Sequence, residues 1–532
     1  MARIIILSFC SLLAGIFIFQ SCSKTHLFRS NYNDANSLIH ETGNLEMKPF
    51  LKAHLKNGDV YILQDTWQVD TTTNIVSGFG SKYNYNRQLA YSGVQSIRID
   101  SVSIFETNVK LNKPESGRVA ALGIVAGLDV IMGIICLANP KACFGSCPTF
   151  YIDETDNFHY ADAEGFSNAI SPSMEYADVD AIGSVVIANT FSITMKNEAL
   201  ETHAVNKVKL LAYPLKEGNR VYHAPDNNYY LCENTYKVKD AFAQEGDISV
   251  ILKSADRIER FSLADEQNML SKEEIILNFD VTSFDADLGL IVNYRQSLMS
   301  TYLFYSAMGY MGDEVSDLFA RLEQEPELRE KFDACSKELG GIEVYAWDEQ
   351  LQVWTYQDQL IETGPIAINK HIIPIKVKSA GNEVKLKLVL NRGLWRIDYV
   401  ALTNIIEQVS PVELLPSEVF NKGTQDNVAL KLLQQTNTHL ISMPGSEYKL
   451  TFKFAEESSN YELFLYSKGY YLEWMRENWI KEKDLLKLRQ MVFNPKKYLK
   501  EEAKNYKKYE STMEQQFWDS RIDTKTFAYY EN

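Results

Sequence analysis

The sequence predicts a mainly β protein with helical additions, an α+β chain with jelly-roll-like β-sandwich regions. Three observations carry that reading. Apolar and polar residues alternate with period two in many short stretches, among them "GDVYILQ" (58–64), "VQSIRIDSVSIFET" (94–107) and "VKLKLVL" (384–390), the pattern of half-buried strands. Gly, Asn, Asp and Pro separate those stretches, as turns require. The longer segments 296–323 and 496–520 switch instead to a helical period.

The first element is not part of the fold. Arg3 precedes the apolar run "IIILSFCSLLAGIFIF", and "QSCSK" follows, the composition of a secretory leader. Ser21 before Cys22 makes residues 1–21 resemble a bacterial lipoprotein signal. The resemblance implies cleavage before Cys22 and acylation of its sulfur, a palmitate-type anchor in the cell envelope. Phe19 and Gln20 depart from the usual box, which leaves an ordinary leader or an N-terminal anchor as the other reading. Residues 22–44 then read as a polar tether, and the membrane becomes a partner through the lipid. The outer membrane or the periplasmic face is the expected location.

Composition bounds the rest. The chain has 532 residues, 45% of them hydrophobic, and 30 tyrosines, enough for several domains with real cores and for aromatic sheet faces. Its formal charge of −16 argues against a nucleic-acid partner, whose phosphates need Lys and Arg. The acidic residues are dispersed, which marks a solvated surface.

In chain order, residues 45–115 form a small β-domain, with "SGFGSKYNYNR" (77–87) as its hairpin rather than a phosphate loop, because no Gly-Lys-Ser/Thr ending follows. Residues 118–140 form a hydrophobic helix. Its length suits a bilayer crossing, but Asp129 and the glycines at 123, 127 and 133 favour a buried or membrane-resting helix. A β-domain at 141–265 follows, with strands expected at 184–195, 207–215, 228–233 and 247–252. Residues 266–470 read as a β-sandwich with a helical insertion near 296–335. Leu298, Tyr302, Tyr305, Met308, Val315 and Phe319 would form that insertion's buried face. The strands "VKLKLVL" and "RGLWRIDYVAL" resemble the closing strands of galactose-binding jelly rolls. Residues 471–532 form a helical tail with Leu499, Ala503, Tyr506, Met513 and Phe517 on its inner side.

Candidate chemistry begins at "KACFGSCPTFY" (141–151). Cys136-x6-Cys143-x3-Cys147 with His159 lacks the paired spacing of a zinc site. In an exported chain the expected state is a short disulfide between Cys143 and Cys147, turned by Gly145. "DETDN" (153–157) carries alternating oxygen side chains, but Phe158 stands where a calcium loop needs glycine. Glu164 and Glu175, and the group Glu198, Glu201 and His203, are candidate carboxylate or metal-ligating sets. Trp354, Trp395 and Tyr399 are candidate ligand-binding aromatics, whose faces can stack on sugar rings. No cofactor and no metal is expected.

Six blocks taken together, "GSCPTFY", "AEGFSNAISPSMEYADVDAI", "KNEALETH", "YRQSLMSTYLFYSAMGYMG", "GLWRIDYVAL" and "YSKGYYLEWMR", resemble a family of uncharacterised bacterial lipoproteins. The resemblance implies the architecture and carries no activity. The expectation is therefore a lipid-anchored envelope protein with a non-enzymatic structural, assembly or ligand-binding role. A glycan-binding lipoprotein is one alternative. A hydrolase or thiol enzyme using residues 143–203 is another, and an envelope protein is the alternative partner to a glycan.

Overall fold

Almost entirely antiparallel pairing organises the strands of the described residues into five sheets. The computed structural model describes residues 24–31, 50–70, 72–111, 147–152, 160–282, 287–361, 364–377, 382–455, 459–474, 479 and 482–525. The expected leader, the expected lipidation site Cys22, most of the expected tether, the hydrophobic segment 118–140, Cys136, Cys143 and His159 lie outside those residues. No helix among the described residues is long and apolar enough to cross a membrane.

The N-terminal sheet has seven strands, including Leu51–Leu55, Val60–Leu63, the hairpin of Ile75–Tyr83 with Leu89–Arg98, and Val102–Leu111. Its core is small, centred on Trp67, Phe105, Leu51 and Ile99. Gly80 is required here, since a Cβ at that position would lie 2.1 Å from the Ile62 carbonyl oxygen.

Two further sheets face one another as a β-sandwich. One holds Tyr176–Ile187, Ser459–Glu473 and Glu201–Pro214; the other holds Glu447–Lys453, Thr190–Lys196 and Thr149–Tyr151. Val208, Leu210, Leu463 and Leu465 of the first meet Ile193, Met195, Leu450 and Phe452 of the second in one apolar cluster. The sandwich is thus built from two remote stretches of chain. Strands expected to belong to successive units, before and after residue 265, are interleaved in it. The single strand expected at 184–195 is two, ending at Ile187 and restarting at Thr190 in the facing sheet.

The chain between those stretches folds into the remaining sheets. In one, Tyr229–Lys237 pairs with both Arg220–His223 and Trp395–Val409, and Asn369–Ile375 and Asp287–Gln296 complete the circuit. The sheet closes into a barrel, which removes its free edges. Leu290, Val292, Ile373 and Leu402 face the main core; Ile291, Ile372 and Ala401 form a separate cluster on the opposite face. The other is an open six-stranded sheet, running through Lys272–Asp280, Glu383–Asn391, Ile342–Asp348 and Val353–Leu360. Its inner face carries Ile275, Leu277, Val384, Leu386, Leu388, Ile342 and Val344 into the main core. Lys385 and Lys387 point outward between these apolar residues, as the alternation of 384–390 predicts. The two strands that resemble a jelly-roll closure therefore lie in different sheets. Residues 249–252, expected as strand, form a short helix instead, where the Asp247 carboxylate accepts from the Ser249 amide at 2.8 Å.

Helices cover the remaining side of the core. The expected helix 296–323 is broken into Met299–Met311 and Val315–Gln324 at Gly312. That glycine sits at φ +53, where a Cβ would also lie 2.5 Å from Lys483. The terminal helix Pro495–Asp519 begins at proline and buries Leu499, Ala503, Tyr506, Met513 and Phe517, the face read from the sequence.

Candidate functional site

The carboxylates that sequence reasoning singled out are mostly interior. Glu164 is 2% exposed. Its Oε1 accepts from the Cys147 thiol at 3.2 Å and the Ser167 hydroxyl at 2.8 Å. Its Oε2 accepts from the amides of Ile366 at 2.6 Å and Ala367 at 3.1 Å. Burial raises the Glu164 pKa against these donors. Gly364 makes the approach feasible, because a Cβ there would lie 2.3 Å from the Glu164 carboxyl.

Cys147 is a free, buried thiol; Cys143, its expected bridging partner, lies outside the described residues. Its Sγ is committed to Glu164, and burial together with that carboxylate pushes the thiol pKa far up. A thiol held protonated is a poor nucleophile.

The other members of the set go to different partners. Glu198 Oε2 accepts from Thr149 at 2.8 Å and from Tyr151 at 2.6 Å. Glu201 and His203 are fully buried and meet at 2.7 Å, and burial lowers the His203 pKa to about 3. Glu175 bonds His439 at 3.1 Å and lies 3.2 Å from Arg87, in a network separate from that of Glu164. Asp178, which sequence reasoning passed over, is raised to about 7 by burial and by the nearby Glu164 charge. Among the described residues no group of three or more His, Cys, Asp or Glu is arranged to hold a metal ion. These groups lock strands and loops together.

The candidate aromatics also divide. Trp395 is 1% exposed and packs in the main core, 5.8 Å from Tyr294; it is an interior anchor and not a ligand platform. Tyr399 lies half-buried against the Ile291–Ile372 cluster of the barrel. Trp354 is on the open sheet, so the three do not share one shelf.

Trp354 has other company. The pairing of Ile342–Asp348 with Val353–Leu360 sets Trp347 opposite Trp354 and Tyr345 opposite Tyr356. The tryptophan rings are edge-on, with centroids 5.2 Å apart and planes at 63°; the tyrosine rings are 5.6 Å apart at 73°. On the neighbouring strand the Lys385 ammonium lies 5.7 Å from both tryptophan centroids. Lys387 lies 5.1 Å from Trp354 and 5.3 Å from Tyr345. Carboxylates frame the rings: Glu274 holds Lys387 at 2.9 Å, and Glu343 bonds Tyr345 at 2.6 Å and Lys272 at 2.5 Å. Acceptance by Glu343 raises the Tyr345 hydroxyl to about 12. Tyr356 is 53% exposed.

The result is a solvent-facing ladder of four rings and two ammonium groups on the outer face of the open sheet. Cation–π and cross-strand contacts keep its side chains in place. Tyr345, Trp347 and Tyr356 were missed by sequence reasoning, although "YAW" and "WTY" mirror one another across the turn at 348–352. That mirror places all four rings on one face of a hairpin.

No protein-family profile, curated protein or solved structure matches this chain.

Proposed function

We propose that this is a lipid-anchored protein of the cell envelope with a non-enzymatic, ligand-binding role, and that its ligand is a glycan taken on the open sheet. The observation that carries the reading is the Trp347–Trp354 and Tyr345–Tyr356 ladder with Lys385 and Lys387 beside it. Aromatic surfaces stack on the C–H faces of pyranose rings, while ammonium and carboxylate groups alongside can bond ring hydroxyls. The burial of Cys147, Glu164 and Glu201 supports binding over hydrolysis or thiol chemistry at 143–203. The leader and Cys22 support the envelope location, and their resemblance to lipoprotein signals supports the anchor.

Titration of the detergent-solubilised full chain with neutral and uronic-acid oligosaccharides, read by calorimetry, tests the glycan reading. Saturable binding that falls at least tenfold in Trp354→Ala, with unchanged thermal stability, is the expected result. Failure of every oligosaccharide to bind, or equal binding by the variant, would overturn it. Incorporation of an alkyne fatty acid that is lost in Cys22→Ala tests the anchor separately.

A further inference from the structure

A cavity of 260 Å³ opens among three helical segments, away from the open sheet. Its aromatic walls are Tyr302 and Tyr310 of Met299–Met311 and Tyr509 of Pro495–Asp519. Among the described residues its carboxylates are Glu482, Asp484 and Glu502, and its one cationic side chain is Lys487.

The arrangement around Lys487 identifies what the cavity holds well. The Lys487 ammonium lies 5.2 Å from the Tyr310 centroid and 3.6 Å from Glu502 Oε2. Glu502 is 3% exposed and held in place, with Tyr302 donating to Oε1 and Asn505 donating to Oε2 at 3.3 Å. Burial raises the Tyr302 and Tyr310 hydroxyls above their ordinary range, so both rings stay uncharged. Asp484 is partly used, accepting from the Lys487 amide at 3.0 Å to cap the helix Leu485–Phe493. Glu482 is half-buried, and its carboxylate has no hydrogen-bond or ion-pair partner among the described residues. Three carboxylates thus face one ammonium, and that ammonium is tethered at the mouth with its side chain 44% exposed.

We infer that this cavity is a binding site for the ammonium end of a small alkylamine, with Lys487 as a built-in competitor that a ligand displaces. The Tyr310 ring, over which an ammonium already lies, and the preorganised Glu502 supply the recognition, as cation–π and charge-assisted contacts do for organic cations. An anion would meet a net negative lining, and a neutral ligand would leave that charge unmatched. The inference does not depend on the glycan reading, since the two sites share no residue.

Cadaverine is a suitable probe, with 1-pentanol as a neutral chain of the same length. Calorimetric titration of the full chain should give saturable cadaverine binding and none for pentanol. Lys487→Met, which removes the competitor and keeps the apolar stem, should tighten cadaverine at least tenfold. Glu502→Gln should weaken it at least tenfold. Because Glu502 is interior, Glu482→Gln is the companion variant, at a half-buried position, and should weaken binding severalfold without loss of thermal stability. No cadaverine binding to either the wild type or Lys487→Met, equal binding of pentanol, or indifference to Glu482→Gln in a folded variant would each overturn the inference.

Discussion

Acidification tests how the interior of this protein is balanced, and His371 isolates the effect. The side chain is 7% exposed, its Nδ1 is 2.9 Å from the Tyr294 hydroxyl, and its ring centroid is 5.4 Å from that of His223. Burial, with a smaller contribution from His223, lowers its pKa to about 3. The unfolded chain binds that proton near pH 6.5 and the folded chain does not, so the term costs nothing above about pH 6.5 and destabilises progressively below it. The slope is about 1.4 kcal/mol per pH unit, hence a loss of about 2 kcal/mol from this residue between pH 7.5 and 5.0. Other groups act in the same window. His203, also lowered to about 3, adds to the loss, whereas Asp178, raised to about 7, is favoured by acid. The wild-type profile is therefore a sum, and only a difference is diagnostic. Urea unfolding of wild type and His371→Asn at pH 7.5, 6.5, 5.5 and 5.0, followed by tryptophan fluorescence, gives that difference. The variant should be less stable at pH 7.5, because it loses the Tyr294 contact, yet its fall toward pH 5.0 should be shallower by about 2 kcal/mol. Parallel profiles, differing by less than about 0.5 kcal/mol in slope over that range, would refute the assignment of His371 as a buried neutral base.

Two further expectations concern the interior. Arg295 is fully buried, holding Glu259 at 2.6 Å and Glu514 at 2.6 Å; Arg295→Met should destabilise by about 3–5 kcal/mol in urea unfolding, with part recovered by adding Glu259→Gln, and a cost under about 1 kcal/mol would contradict the geometry. Cys147, Cys232 and Cys335 are free, buried thiols, with Cys232 and Cys335 raised to about 12. All three should resist iodoacetamide at pH 8 and alkylate fully in urea without reductant; a Cys147 that reacts only after reduction would instead restore the bridge to Cys143.

The local features of this chain are legible because they depend on near neighbours. Alternation at 384–390 gives both the buried Leu386 and Leu388 and the outward lysines, and the helical period gives the inner face of Pro495–Asp519. What is not legible depends on distant ones. Lys207 to Pro214 pair with Tyr461 to Lys468, and nothing near either strand states that register. The barrel closes through pairs between Tyr229–Lys237 and Trp395–Val409, equally remote. The same limit explains the tryptophans. Trp395 and Trp347 both stand in strands of alternating character, but the barrel strand is covered on both faces and the open sheet on one. Which tryptophan is exposed is decided by the layer that packs above it, not by its flanking residues.

The buried charges follow from the same architecture. Glu164 receives amides from residues 366 and 367, Lys52 lies 3.3 Å from Glu323, and Arg220 lies 2.6 Å from Glu462. Each contact joins segments more than 200 residues apart, where a sheet meets another part of the fold, in the case of Lys52 the helix Val315–Gln324. An apolar joint would tolerate sliding by one strand position, whereas a buried charge left unpartnered by such a slip costs several kcal/mol. Paired charges at these seams therefore select one arrangement of the sheets. Of the residues that a sequence reader takes for catalysts, Glu164 occupies such a seam, whereas Glu198 holds Thr149 and Tyr151 and Glu201 holds His203 two residues along its own strand. That assignment places the search for a ligand on the solvent-facing ring ladder and on the cavity lined by Tyr302, Tyr310 and Tyr509.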